Sequence, residues 1–169
     1  MIHLYYGDGK GKTTAACGLA VRATGSGMRV LFVQFLKDGA SSEIAVLSSL
    51  PGITLLRPEL YFGWFKSMTD EQKAKLKECY CSVIQNLALS ADGYDMLVLD
   101  EAALAYHYGL FDNAEFLGFL TKERNNREIV ITGRKTHPDL KELADYITEM
   151  QKEKHPFDSG VPARKGVEY

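Results

Sequence analysis

A glycine-rich run near the start of the chain is the feature that most constrains its fold. Residues 7–13 read Gly-Asp-Gly-Lys-Gly-Lys-Thr, directly after a β-prone run at residues 2–6 and before an apolar helical segment at residues 15–23. Glycines let consecutive backbone N–H groups converge on phosphate oxygens, and the helix N-terminus adds the positive end of its dipole. The sequence therefore predicts a loop that binds the phosphates of a nucleoside triphosphate, with MgATP as the expected ligand.

The spacing of this loop departs from the common form. That form has four residues between its first glycine and the Gly-Lys-Thr end, whereas three separate Gly7 from Gly11, and Tyr6 stands where the common form has glycine. We expect a loop that is one residue tighter or has its first glycine shifted, with the phosphates bound in a different position. A glycine-rich turn without a ligand is the alternative. The residues expected to contact the nucleotide are Gly7, Asp8, Gly9, Lys10, Gly11, Lys12, Thr13 and Thr14.

A second feature is an apolar run at residues 96–99 that ends in two acids, Asp100 and Glu101. In proteins with a phosphate-binding loop, such a strand is expected beside the loop strand, with its aspartate in the metal shell. Glu101 is either a metal ligand or a base that activates water, and spacing alone leaves this open. The alternative is that the acids cap the helix that follows, and the two roles are compatible.

Strand and helix signals alternate along the chain, which predicts a parallel sheet with helices on both faces. We expect a single α/β domain over residues 1–169, with a P-loop NTPase-like three-layer fold and an extended tail at residues 152–169. Strands are predicted at residues 2–6, 28–36, 53–56, 96–99 and 128–132. Helices are predicted at residues 15–23, 116–120 and 138–144, with Thr136 as the N-cap of the last. A Thr69–Gln72 capping box starts another helix.

Composition narrows the class of protein further. A net charge of −2 gives no basic footprint, so we expect no nucleic-acid partner. No apolar run is long enough to span a bilayer, and no signal-peptide pattern precedes the first strand, so we expect no membrane. The three cysteines, Cys17, Cys79 and Cys81, are an odd number without a secretory signal, which argues against a disulfide framework. We therefore expect a reduced, cytoplasmic protein.

Five segments together resemble one known family. They are residues 7–16 (GDGKGKTTAA), 33–35 (VQF), 99–101 (LDE), 132–134 (TGR) and a tail at 154–161 (KHPFDSGV) with 166–169 (GVEY). The chain is similar, nearly end to end, to the P-loop corrinoid adenosyltransferases of bacteria. The shortened loop is itself a trait of that family, which makes the resemblance more specific than a phosphate loop alone.

The resemblance implies an unusual reaction. Cob(I)alamin attacks the 5′ carbon of ATP and triphosphate leaves, so no protein nucleophile is required. The protein must orient ATP, neutralise the leaving group and shelter the cobalt. Lys12, Thr13 and Mg²⁺ (or Mn²⁺) suit the second task, and Glu101 joins Thr13 at the metal, with Asp100 beside them. Arg22 and Arg134 match family arginines near the phosphates; solvated arginines are the alternative.

Aromatic residues after the third predicted strand match a further family feature. Phe62 and Trp64 correspond to a Phe-x-Trp pair that lies against the lower face of the corrin in that family. The resemblance therefore implies that both are catalytic residues. Removing the lower axial ligand makes Co(II) easier to reduce. The alternative is that Tyr61, Phe62, Trp64 and Phe65 are core. His107 and His155 are either ligand contacts or structural histidines.

The resemblance also implies partners. These are the corrinoid, an electron-donating reductase of flavoprotein type and a second copy of the chain in a homodimer. Many members carry an N-terminal extension over the corrinoid site, and here we expect that lid to be supplied by another element or to be missing. Asp8 and Lys135 replace the commoner asparagine and glycine. Two alternatives remain: an ATPase or small-molecule kinase with Asp100 or Glu101 as base, and a corrinoid or nucleotide carrier without turnover.

Overall fold

A computed structural model describes residues 1–39 and 41–168 of the chain. They form one six-stranded sheet in which every neighbouring pair is parallel and the strand order is β3-β2-β4-β5-β1-β6. Tyr169, the last residue of the tail motif, lies outside the described residues. The strands are β1 (Ile2–Tyr6), β2 (Val30–Gln34), β3 (Ile53–Leu56), β4 (Met96–Asp100), β5 (Glu128–Gly133) and β6 (Tyr146–Glu149). The α-helices are α1 (Lys12–Gly25), α2 (Glu43–Ser49), α3 (Asp70–Ser90), α4 (Ala102–His107), α5 (Asn113–Glu123) and α6 (Pro138–Leu143).

The two faces of the sheet are covered by different helices. Every residue of β2 and β4 is buried, which explains why both segments are almost continuously apolar. Leu31 and Leu99 pack on one face with residues from α3, α4, α5 and α6, while Phe32 and Val98 pack on the other with residues from α1 and α2. This arrangement confirms the expected α/β, P-loop NTPase-like fold. No helix in the described ranges combines the length and apolar character needed to cross a bilayer.

Two helix starts can be compared with their predictions. The capping box is confirmed: the Gln72 N–H donates to the Thr69 hydroxyl at 3.2 Å, and the Thr69 N–H donates to the Gln72 amide oxygen at 2.9 Å. Thr136 as N-cap of α6 is wrong. The N-cap is His137, whose ring nitrogen accepts from the Asp139 N–H, because Pro138 takes the first helical position and moves the cap to the residue before it.

The strand order corrects one expectation. The loop strand β1 and the acidic strand β4 are not neighbours, because β5 lies between them and pairs with both. Adjacency of functionally linked strands is a tendency of α/β sheets, and topology decides it. The consequence is that β5 brings its own side chains, Thr132 among them, between the loop and the acids.

The last quarter of the chain also differs from expectation. Strand β6 was not predicted, because its four residues are all exposed and lack an apolar pattern, yet it pairs in parallel with β1. The tail is not fully extended. It makes a 3₁₀ turn at Pro156–Ser159, and the Lys152 N–H donates to the Asp8 carboxylate at 3.1 Å. The tail therefore folds back against the glycine-rich loop.

Candidate functional site

The candidate site lies where the strands end. In the register of the sheet, Tyr6 pairs with Gly133 and Gln34 pairs with Asp100, so the carboxyl ends of four strands meet at one edge. Open parallel sheets bind ligands outside this edge. The glycine-rich loop begins immediately after β1, and Glu101 immediately after β4. The fold thus gathers the predicted phosphate loop and the predicted acids at one place.

The loop is held against the end of β6. The Gly9 N–H donates to the carbonyl oxygen of Met150 at 2.7 Å. A Cβ atom on Gly7 would collide with that same carbonyl oxygen, and one on Gly9 would lie 2.7 Å from it. Gly7 and Gly11 also have φ of 116° and 111°, a conformation that other residues rarely adopt. The glycines are therefore required by close backbone approach and by backbone conformation.

Lys12 opens α1 and is buried. Its ammonium donates to the carbonyl oxygen of Gly9 at 2.6 Å, so it lies over the loop itself. Burial lowers the pKa of Lys12, while the nearby Glu101 carboxylate opposes that shift and Arg134 adds to it. Lys12 is buried and forms no salt bridge with another described residue, so its ammonium can donate to phosphate oxygens.

The two acids at the end of β4 differ in their surroundings. Asp100 is fully buried, and one of its oxygens accepts from the hydroxyls of Thr13 at 2.9 Å and Thr132 at 2.7 Å. Glu101 has a buried oxygen, Oε2, that makes no hydrogen bond within the described residues. Burial, and then the Asp100 charge, raise the pKa of Glu101. Because buried polar atoms normally have a partner, this oxygen is a candidate ligand for a cation.

Backbone strain accompanies the unpartnered oxygen. Glu101 has φ of 60°, which few non-glycine residues adopt, and its N–H donates to the Thr132 hydroxyl at 2.9 Å. It stands at the N-cap position of α4, but its side chain makes no capping hydrogen bond. The capping alternative therefore does not account for Glu101. The charges of Lys37, Lys12 and Arg134 act on its carboxylate and oppose the rise in its pKa.

The side chains present fit a magnesium ion. Mg²⁺ is usually held by one or two protein oxygens, with phosphates and waters completing its shell. The Thr13 hydroxyl, which contacts Asp100, and the oxygen of Glu101 that has no partner among the described residues are such donors. The Asp100 oxygens, in contrast, already accept hydrogen bonds from protein groups.

The two predicted arginines lie in different places. Arg134 directly follows β5 and lines an open cavity of about 720 Å³ together with Gly7, Asp8 and His107. Arg22 is exposed in the last turn of α1, nine residues beyond Thr13, a rise of about 14 Å along the helix. The structure brings Arg134 to the loop and leaves Arg22 at the far end of α1.

The remaining loop and tail residues surround a smaller cavity of about 200 Å³. The exposed Lys10 borders it, opposite His155 and Arg164 of the tail. Thr14 is exposed in the first turn of α1. The ring of His155 accepts from the Phe157 N–H at 3.2 Å, which gives this histidine a structural hydrogen bond.

The aromatic segment divides into two kinds of residue. Trp64 is 78% exposed and Tyr61 is 42% exposed. Phe62 packs against the core, and Phe65 stacks on Tyr108 with 4.0 Å between ring centroids. The core alternative therefore describes Phe62 and Phe65, and it does not describe Trp64.

Sequence reasoning missed several residues of the site. Lys37 places its ammonium 2.7 Å from Asp100 and 2.9 Å from the Thr13 hydroxyl, and Thr132 also contacts Asp100. Burial lowers the pKa of Lys37, but the charge and hydrogen bond of Asp100 outweigh that effect and raise it. One available signal was the position of these polar residues at or just beyond the ends of predicted strands.

The fold and loop define the class: a nucleotide-binding protein with a phosphate loop at the carboxyl edge of a parallel sheet. The family model described as ATP:corrinoid adenosyltransferase BtuR/CobO/CobP matches residues 1–169. The chain belongs to this family, as the sequence resemblance predicted.

Curated relatives agree over the whole chain. The corrinoid adenosyltransferase of Escherichia coli (strain K12) is 34% identical over 169 residues, which cover 100% of this chain and 85% of that protein. Corrinoid adenosyltransferase CobA of Salmonella typhimurium is 34% identical over 170 residues, with the same coverage. Among solved structures, domain III of the Thermotoga maritima replication initiation protein DnaA matches with a TM-score of 0.43 and 13% identity, covering 88% of this chain and 54% of that one.

Proposed function

We propose that this edge of the sheet carries out the reaction of the family, the transfer of the 5′-deoxyadenosyl group of ATP to the cobalt of a reduced corrinoid. The chain is an ATP:corrinoid adenosyltransferase by its family, and its product is adenosylcobalamin. The observation that supports the placement is the convergence of Lys12, Thr13, Glu101 and Arg134 at one end of the sheet. No nucleophilic side chain is needed, since the electron pair of Co(I) attacks the 5′ carbon while triphosphate leaves with the pair of the broken C–O bond.

The protein residues serve the leaving group. The loop N–H groups and the Lys12 ammonium neutralise the triphosphate, and Arg134 contacts it from the end of β5. Thr13 and Glu101 would hold a divalent cation, Mg²⁺ or Mn²⁺, which would neutralise part of the charge on the phosphate oxygens. These fixed charges lower the barrier because they are oriented before the bond breaks. Lys12, Thr13 and Glu101 are thus the catalytic residues at the triphosphate end.

The corrinoid end is assigned to the aromatic segment. The exposed Trp64 and the half-buried Phe62 cover the lower face of the corrin, which removes the axial ligand of Co(II) and eases its reduction. Trp64 is 78% exposed and Tyr61 beside it is 42% exposed, so the indole is accessible to a ligand and is not part of the core, which favours this role over packing. The family resemblance adds three further proposals: a homodimer, an electron-donating reductase of flavoprotein type, and a cytoplasmic location.

Product analysis tests the proposed function. With ATP, Mg²⁺ and chemically reduced cobalamin, we expect inorganic triphosphate and the visible spectrum of adenosylcobalamin in equal amounts. Diphosphate or orthophosphate with an unchanged corrinoid would instead identify a kinase or an ATPase. Tight binding of both substrates without any product would identify a carrier.

A further inference from the structure

The ammonium of Lys37 lies at the carboxyl end of β4, beside Asp100. It donates to the Thr13 hydroxyl oxygen at 2.9 Å and to Oδ2 of Asp100 at 2.7 Å. The Lys37 side chain is 21% exposed, and the Asp100 side chain is fully buried. The Lys37 ammonium therefore bridges the loop threonine and the strand aspartate.

The backbone before Lys37 is bent to deliver it there. Leu36 has φ of 52°, and among the described residues only one other non-glycine residue, Glu101, has positive φ. The Leu36 N–H donates to the Tyr80 hydroxyl at 2.8 Å, and the Phe35 N–H donates to the carbonyl oxygen of Asp100 at 3.0 Å. Strain of this kind persists where neighbouring groups fix it, and it concentrates at functional sites.

The hydrogen bonds of Asp100 are complete. Oδ1 accepts from Thr13 and Thr132, and Oδ2 accepts from Lys37 and, at 3.3 Å, from the Gln34 amide. A carboxylate has about four acceptor sites, so four donors saturate it. The neighbouring Glu101 retains an oxygen without a partner. The two acids are therefore not equivalent towards an incoming cation.

The Thr13 hydroxyl retains one free site. It donates its proton to Asp100 and accepts from Lys37, and a hydroxyl oxygen has two lone pairs. The remaining lone pair is the one through which Thr13 can bind a metal. Its direction is set by the two hydrogen bonds to Asp100 and Lys37.

We propose that Lys37 is the permanent counter-ion of Asp100 and a positioning residue: together they orient the Thr13 hydroxyl and leave the divalent cation to Thr13 and Glu101. This assignment rests on the proposed metal site, and it removes Asp100 from the metal ligands. It also gives a reason for the backbone strain at Leu36 and Glu101. The bend at Leu36 positions the Lys37 ammonium, and the bend at Glu101 positions the carboxylate that is left for the metal.

A double-mutant cycle tests the ion pair without ATP or corrinoid. In metal-free buffer, Lys37→Met is expected to lower the folding equilibrium constant at least about tenfold, because it leaves a buried carboxylate without its cation. In an Asp100→Asn background, Lys37→Met should lower the folding equilibrium constant much less. Lys75→Met, which removes an exposed lysine paired with Glu71 on α3, is the matched control and should change little. Equal costs in both backgrounds would overturn the pairing.

Metal dependence tests the division of roles. Calorimetric titration of ATP at several Mg²⁺ concentrations should show that Glu101→Gln raises the Mg²⁺ concentration needed for binding. Asp100→Asn should lower ATP affinity without that shift. If Lys37 merely fills the metal's place, Lys37→Met will bind MgATP more tightly than the parent, and Asp100→Asn will behave like Glu101→Gln; either result contradicts the proposal.

The design also covers variants that do not fold. If Lys37→Met is unfolded, the Lys37→Met/Asp100→Asn double variant should still fold, and its failure to do so would count against the counter-ion role. A parent protein that forms no triphosphate would contradict the proposed function. The cycle would still decide the role of Lys37, because it measures unfolding alone.

Discussion

The ammonium of Lys12 lies 2.6 Å from the carbonyl oxygen of Gly9, so the lysine closes over its own loop. Exchange of this hydrogen bond for phosphate oxygens requires little movement of the side chain. The site is therefore arranged for an anion in advance, which reduces the reorganisation that binding would otherwise require.

Lys12→Ala should abolish ATP binding with only a small loss of stability. The lost hydrogen bond is worth about 1 kcal/mol, and removal of a buried charge offsets part of that loss. Lys75→Ala, which removes an exposed lysine of α3 away from the loop, is the control. Calorimetry and thermal melts provide both measurements. Equal ATP affinity in Lys12→Ala and the parent would contradict the assignment.

Glu101→Gln should lower activity mainly through the metal. The amide keeps the size of the side chain and removes the charge that holds Mg²⁺, so raised Mg²⁺ or Mn²⁺ should rescue part of the rate. The apo protein should be no less stable, because the buried Oε2 has no hydrogen-bond partner to lose among the residues that the structure describes. Failure of rescue, with normal triphosphate binding, would assign Glu101 a role other than metal ligand.

The two arginines give a paired prediction. Arg134→Ala should weaken ATP binding by about tenfold or more, the effect expected for loss of a charge-assisted hydrogen bond. Arg22→Ala should leave the affinity unchanged, because the side chain is a helix length from the loop. Calorimetry on both variants decides the matter. A comparable loss in Arg22→Ala would contradict this prediction and indicate that Arg22 contacts the nucleotide.

Part of this site could be predicted from sequence because its signals are local. The glycine run, the apolar strand before Asp100 and the Thr69 capping box each lie within a few consecutive residues, and all three are present. The position of Lys37 could not be predicted in this way. It depends on the bend at Leu36 and on the pairing of β2 with β4, whose residues are far apart in the chain.

The same reasoning explains why the sequence did not predict the strand order or the presence of β6. The order of β1, β5 and β4 is a property of the whole sheet, and the apolar pattern of each strand carries no information on its neighbours. Strand β6 has exposed residues throughout, so its sequence lacks the apolar alternation or continuity that marks a strand. It supports the loop through the carbonyl of Met150, a backbone contact that requires glycine at positions 7 and 9 but no particular residue in β6 itself.

Trp64→Ala separates a corrinoid role from a packing role. Trp64 is 78% exposed, so its removal should leave the melting temperature close to that of the parent. We expect the reaction that starts from cob(II)alamin to be impaired much more than the reaction that starts from chemically prepared cob(I)alamin. The reason is that loss of the indole lets an axial ligand or water return to Co(II), which then becomes harder to reduce.

Two further variants complete the test. Leu89→Ala, on α3, removes an apolar side chain that is 85% exposed and should change neither reaction. Phe62→Ala should follow Trp64→Ala in its preference between the two corrinoids but should also lower the melting temperature, because Phe62 packs against the core. If Trp64→Ala impairs the reactions of both cobalamins equally and strongly lowers the melting temperature, the corrinoid role is excluded. Trp64 would then have a packing role.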